Sequence, residues 1–564
     1  MTSNTVRVLP GPSFAHGSAG CARRRPPLGG VSRGSEIAPA LEAALGKDAV
    51  LLTDARSLVV QADVCTRRGE ALHTEKDWWA VIHANAFQEV HGAFVVAWRT
   101  GTGGVHLVRD PIGHRTLYYA VNQGQLTFAS TLRALLDSGA LPRRLDLRSV
   151  AAYLAYAYVP GRDTLVEGAF EVLPGEHIAF EGSSLARHTF WEIPTEPTSY
   201  ESEAALERQL RRVLEEQVSA ALPAGSPVAA SLSGGIDSSL IVALAQRLHS
   251  EPVHTFSITF GAPHKDELEH SALVARHCKT KHTVVLLTAE AIVAHLDDTI
   301  ACLSKPNGDP LTVPNALLFR QMAEHAGVAL NGEGGDPCFG GPKNVPMVLA
   351  ELYGEDPADE HWRERSYLRA HGKCSDELEE LLEPEVFRAI SHPLESDLEP
   401  WFTSRRWSTL VGRLLAINVR FKGGHHILPK VDALSAPFGV LARSPLFDRS
   451  LVELAFAIPP QLKLHGATEK YLLKRAVHDL LPAEIVNRPK SGMMVPVEGW
   501  FSGPLLAEAG RRIEQLIPHG LFRRRYLDDL LSARLGGLRP RRGVKIWLLL
   551  TLESHLRALG FGSL

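Results

Sequence analysis

Between two apolar runs, residues 227–230 and 240–245, the chain reads SLSGGIDSS over residues 231–239. A string of this kind can hold a phosphate. Gly234-Gly235 lets the backbone turn sharply and approach a ligand with no Cβ in the way. A helix starting at Asp237-Ser238-Ser239 points free N–H groups and a positive dipole end at the anion. The serines donate to phosphate oxygens, and the Asp237 carboxylate suits an accompanying Mg²⁺. A plainer reading stays open, in which Ser and Asp only cap a helix after a glycine turn. The S-G-G-x-D-S pattern at a strand–helix junction asks for more than a cap, and without G-K-[ST] it is no Walker A loop.

A second string, AGVALNGEGGDPCFGG (326–341), brings an apolar run into Asn331-Gly332-Glu333-Gly334-Gly335-Asp336. A glycine-rich loop with two carboxylates at the C-terminal edge of a sheet lies where α/β sheets bind ligands. Glu333 suits acid–base or orienting work, and Asp336 a second Mg²⁺ contact. Taken alone, this loop also reads as a solvated acidic turn.

The elements around these loops predict an α/β protein. After Pro227, strand-like PVAASL, VHTFSITF and HTVVLLT alternate with helix-like SSLIVALAQRLHS and ELEHSALVARHC. That alternation predicts a doubly wound parallel sheet. From Trp362 onward the chain reads as a mostly helical extension, with Pro-rich loops at 427–448 and 482–497. Before it, short β-branched runs (SLVVQADV, GAFVVAW, GGVHLVRD, TLYYAV, QLTFAS) predict an N-terminal antiparallel sandwich. The helical period of 203–222 links the halves. Residues 1–35, rich in Gly, Pro, Ser and Arg, read as a disordered leader.

Composition narrows the function classes. A formal charge of −3 argues against nucleic acid as the main partner, and no apolar run is long enough for a membrane. Six cysteines without C-x-x-C spacing read as reduced thiols in a cytoplasmic protein. The arginine clusters 523–525 and 539–542 read as solvated loop faces.

The first loop resembles the pyrophosphate loop of the N-type ATP pyrophosphatases. Together, the two loops resemble the synthetase domain of the asparagine synthetase family, which includes β-lactam synthetases and lasso-peptide cyclases. SKPNGDPLTVPNALL (304–318), the 428–460 segment and GATEKYLLKRAVHDLLPAEIVNRPKSGMMVPVEGWF (466–501) extend the likeness over nearly the whole chain. The resemblance implies the adenine-nucleotide α-hydrolase fold for 201–564 and a degenerate, Ntn-hydrolase-like amidotransferase domain for 36–200. It implies ATP and Mg²⁺ as cofactors. Leu232, Ser233, Gly234, Gly235, Asp237, Ser238 and Ser239 then form the pyrophosphate loop, and Ile258, Asn331 and Gly332 contact the adenylate. Asp237 and Asp336 ligate Mg²⁺, Glu333 serves adenylate formation, and Lys470 stabilises charge as an amine attacks. A lysine with a buried stem and a solvated head is the other reading of Lys470.

Glutamine-dependent members begin Met-Cys, whereas this chain reads Met1-Thr2-Ser3-Asn4. EVHGAFVVAWRTGTGGVHLVRDPIGHRTLYYAVNQGQLTFASTLRALL (89–136) is similar to the family's sheet, with the Arg109-Asp110 turn. The glutamine pocket reads as eroded, with Asp63 and Thr66 where the family has glutamate and asparagine. Cys21 sits in a leader-like context. The expected activity is therefore ATP-dependent amide formation through an acyl-adenylate, joining a small-molecule or peptide carboxylate to an amine not made by the chain's own glutaminase site. An asparagine synthetase using ammonia or residual glutamine, and a non-catalytic scaffold, are the alternatives. Beyond the catalytic loop, Lys343, Asn344 and Lys490 read either as substrate contacts or as surface residues, and a homodimer is left open.

Overall fold

The alternation after Pro227 builds one parallel sheet. Its strands are β1 (Val228–Ser231), β2 (His254–Thr259), β3 (Lys281–Leu286), β4 (Val328–Leu330) and β5 (Leu441–Arg443), in the spatial order β3-β2-β1-β4-β5. The computed structural model describes residues 58–562 except 198–200, 263, 265–266, 342–346, 348–358, 372, 391, 489–494, 504 and 536–540, with the backbone of the short strands Thr5–Val8 and Gly29–Val31. β2 is buried along its whole length. Burial on both faces by crossover helices explains why such strands read as nearly continuous apolar runs. The chain steps outward from β1 to β3 and returns to β4 on the other side of β1. A sheet wound this way opens a crevice at the reversal, between the C-terminal ends of β1 and β4. Both glycine-rich loops leave the sheet at that point.

The N-terminal half is a pair of antiparallel sheets, as its short alternating runs predict. The six-stranded sheet includes Leu58–Arg67, Val90–Arg99 and Val105–Arg109; the four-stranded one includes Tyr118–Asn122 and Gln125–Ala129. Val95, Leu107, Tyr119, Phe128 and Ile178 pack in one apolar cluster of this half. Two pieces of the expected leader are paired: Thr5–Val8 lies parallel to β3, and Gly29–Val31 runs antiparallel to Thr127–Ala129. The alternating T-V-R-V explains the first. The expected loop at 427–448 is also partly regular. It holds the helix Leu428–Ser435, whose proline sits in the first turn where its missing N–H costs nothing, and the three-residue β5.

Buried charge joins the two halves. The Arg109 guanidinium reaches Glu171 at 2.7 Å, and Lys305 from the other half reaches the same carboxylate at 2.5 Å. Arg109 also donates to the Gly424 carbonyl across the interface at 3.1 Å. Burial alone would raise the Glu171 carboxyl, but Lys305 and Arg109 hold it well below the usual carboxylate range. Gly424 belongs to a rare π-helical stretch, Asn418–Ile427, which forms one wall of the crevice through Lys422 and Ile427. Cys65, Cys278, Cys338 and Cys374 are free thiols, as expected, but Cys302 is disulfide-bonded, which corrects the expectation that all six cysteines are reduced. Among the described residues no helix is long and apolar enough to cross a membrane.

Candidate active site

At the reversal of the sheet lies a cavity of about 290 Å³. Leu232, Ser233, Gly235, Asp237 and Ser238 from the first loop line it, with Ile258 at the end of β2 and Asn331, Gly332, Glu333 and Asp336 from the second. The two strings, about a hundred residues apart, therefore face one space. Ser239 does not reach it: its hydroxyl is buried further into the helix and has no hydrogen-bond partner. Lys343, Asn344 and Lys490, like Thr2 and Cys21, lie outside the described residues.

The helix Ile236–Leu248 starts at Gly235 with no side-chain cap. The plain capping reading of Asp237 and the serines therefore does not hold. Gly234 takes φ +78°, a left-handed conformation that favours glycine. The serines brace the turn instead, with Ser233 N–H donating to Ser238 Oγ at 3.1 Å and the two hydroxyls 3.0 Å apart. Arg488, which sequence reasoning missed, pairs with Glu267 and donates to the Gly234 carbonyl at 3.2 Å. The basic residues of the 466–501 segment were the signal that could have found it.

Lys470 is the centre of the arrangement. Its ammonium lies 2.7 and 2.5 Å from the two Asp237 oxygens and 2.5 Å from Asp336 Oδ1. Only 2% of its side chain is exposed, so the reading of a solvated lysine head is overturned. The residue holds φ 54° at the start of the helix Tyr471–Val477. Strain of that kind persists where surrounding contacts over-determine the backbone. The second loop closes on the first just as tightly. A Cβ on Gly335 would lie 2.1 Å from Asp237 Oδ1, so only glycine lets the two carboxylates approach one cation.

The remaining polar atoms face inward. Asn331 Oδ1 accepts from Glu333 N–H at 3.0 Å, while Asn331 Nδ2 is buried without a hydrogen-bond partner, a spare donor at the cavity wall. Burial pushes the Glu333 carboxyl above its usual value; Lys430 and Lys422 oppose the rise, and Asp309 and Asp336 add to it. Lys430 itself is engaged by Asp309 at 2.7 Å. The donor set also fits Mg²⁺. Asp237 and Asp336 offer hard oxygens that already converge on one cation, and phosphate oxygens suit the rest of its shell. Among the described residues no cluster of three or more His, Cys, Asp or Glu side chains forms a self-sufficient metal cage.

Where the N-terminal half meets β5, Asp63 stands on the bulged strand Leu58–Arg67. Its carboxylate is held by both prongs of the Arg443 guanidinium, at 2.9 and 3.0 Å. Cys65 beside it is buried, and burial pushes its thiol up to about 12, so it stays protonated.

Comparison with known proteins places these features in context. The asparagine synthase family model matches residues 209–557, and a glutamine amidotransferase domain model matches 77–191. The chain is 28% identical over 491 residues to a putative glutamine-hydrolyzing asparagine synthetase of Mycobacterium tuberculosis, covering 80% of this chain and 75% of that one. It is 24% identical over 493 residues to glutamine-hydrolyzing asparagine synthetase 1 of Bacillus subtilis, covering 82% and 77%. To the carboxyethyl-arginine beta-lactam-synthase of Streptomyces clavuligerus it is 23% identical over 414 residues, covering 72% and 65%.

Proposed function

Because the chain belongs to the asparagine synthase family, whose members form amide bonds with ATP, we propose that it activates a carboxylate as its AMP ester and passes the acyl group to an amine from outside its own glutaminase-like domain. The observation that carries this reading is the convergence of Lys470, Asp237 and Asp336 beside an uncapped helix N-terminus. A carboxylate is a poor electrophile, and the mixed anhydride with AMP supplies a good leaving group. Ser233, Gly235, Ser238 and the first helix N–H groups bind the departing pyrophosphate and stabilise its charge. Asp237 and Asp336 hold Mg²⁺, which would supply charge neutralisation on the phosphates when bound. Asn331, with its spare amide donor, Gly332 and Ile258 hold the adenylate. Glu333, its carboxyl raised by burial, orients the reactants and takes a proton from the attacking amine. Lys470 then stabilises the negative charge that develops on the acyl oxygen.

The external amine source is supported by Asp63. Where the family's glutamate would stand, its carboxylate is already spent on Arg443. The reading places the enzyme in the cytoplasm and in specialised biosynthesis, on a small-molecule or peptide acid. A second reading, asparagine synthesis from free ammonia, is favoured by Glu333 within the GEGGD loop.

The test is pyrophosphate release with ATP, Mg²⁺ and a panel of acids: L-aspartate, succinate, glutarate and peptides with a free carboxylate. Each is run alone and with ammonium, L-glutamine or a primary amine. Release is expected to depend on the acid, and amide to form with an added amine at least about tenfold faster than with glutamine, a loss of more than 1.4 kcal/mol for glutamine. Glutamine supporting the reaction as well as the amines would sink the external-amine part. Aspartate with ammonium yielding asparagine would establish the second reading. No release with any acid, together with no ATP binding, would leave a scaffold.

A further inference from the structure

Arg443 is wired to more than Asp63. Its third guanidinium contact goes from Nη1 to the Ala221 carbonyl at 2.8 Å, at the C-terminal end of the helix Glu203–Ala221, where a cation is electrostatically favoured. Its own carbonyl accepts the Asn331 N–H at 3.1 Å, and Asn331 Oδ1 in turn accepts the Glu333 N–H. One residue therefore links the N-terminal sheet, the helix between the halves and the loop that carries Asn331 and Glu333. On the N-terminal side the link is specially built. The strand bulges between Asp63 and Thr66, and Val64 takes φ 50°, a left-handed conformation that a β-branched side chain adopts only under constraint. Val64 is also 42% exposed, so its own side-chain packing does not explain the strain. What the distortion does achieve is to present Asp63 to both prongs of Arg443.

We infer that Asp63 is a positioning residue for the nucleotide site: through Arg443 it fixes Asn331 and the Glu333 loop, so that the N-terminal domain braces adenylation. This inference rests on the nucleotide reading of the cavity, but not on the identity of the acid or the amine. A planar, two-pronged pair sets direction as well as charge, which a flexible lysine or a neutral side chain does not. The brace acts on the edge of β5, three residues long and joined to β4 along its length. A strand that short has little pairing of its own to resist a shift.

Calorimetric binding of ATP with Mg²⁺ to the full chain tests this without any acid. Asp63→Ala is expected to raise the ATP Kd about tenfold, equivalent to 1.4 kcal/mol. Asp63→Glu should recover most of that loss, and Asp63→Ala/Arg443→Ala should bind no worse than Arg443→Ala alone, because the two residues act as one unit. Arg443→Lys, which keeps the charge and the fold, should also weaken ATP. Unchanged ATP affinity in Asp63→Ala, or losses that simply add in the double variant, would overturn the brace even if the melting temperature fell. Wild-type protein that binds no ATP would instead refute the nucleotide reading itself.

Discussion

Lys470→Met is expected to lower the rate of amide formation by at least about 10²–10³-fold, the range for removing one preorganised donor to a developing oxyanion. The same change should destabilise the protein by about 3–5 kcal/mol, because Asp237 and Asp336 lose the cation between them and only partly regain water. A distinguishing sign lies in the metal dependence of stability. With the ammonium gone, the two carboxylates that converged on it are left to a divalent ion. Mg²⁺ should therefore raise the melting temperature of Lys470→Met more than that of the wild type, by mass action on the folded state. Thermal denaturation with and without Mg²⁺ measures this apart from catalysis. A variant as stable as wild type and indifferent to Mg²⁺ would show that the three charges do not form one unit.

Glu333→Gln should cost about 10²–10⁴ in rate, the usual reach of a positioned acid–base group. Its stability should move the other way. The Glu333 carboxyl lies above the ordinary value in the folded protein, so the fold favours the protonated form. That stabilisation is complete below the ordinary carboxylate value of 4.5 and is lost as pH rises through the raised one. Glutamine keeps the shape without the charge, so at neutral pH the variant should melt no lower than wild type. The wild-type rate should climb with pH through the raised value, and the variant should lack that limb. A variant with wild-type rate, or one with the acidic limb intact, would remove Glu333 from the chemistry.

Both predictions rest on residues whose types and spacing are legible in the chain. The glycine pair and acidic turn of each loop sit directly after apolar runs that can only be buried strands, so their meeting at one sheet edge follows from the winding rule. Lys470 stood out only through its resemblance to a family, because no local pattern announces a lysine that will be buried between two distant aspartates. Arg443 and Arg488 were harder still. β5 is three residues long, too short to show a period, and Arg488 acts through a carbonyl more than 250 positions away in sequence. The proline-rich stretch around Leu428 misled for a local reason: proline breaks a helix interior yet suits its first turn. Asp63 was visible as a departure from the family, but its partner was not, since the pair spans 380 residues.

The central claim is that a carboxylate oxygen attacks the α-phosphorus of ATP. It is tested most directly with the acid selected by pyrophosphate release, labelled with ¹⁸O in its carboxyl group. After the acyl group passes to the amine, the bridging oxygen should remain on the nucleotide, and mass spectrometry should find one ¹⁸O in AMP. ADP with ¹⁸O in inorganic phosphate would mean an acyl phosphate, and unlabelled AMP would mean no acyl-adenylate; either would contradict the account.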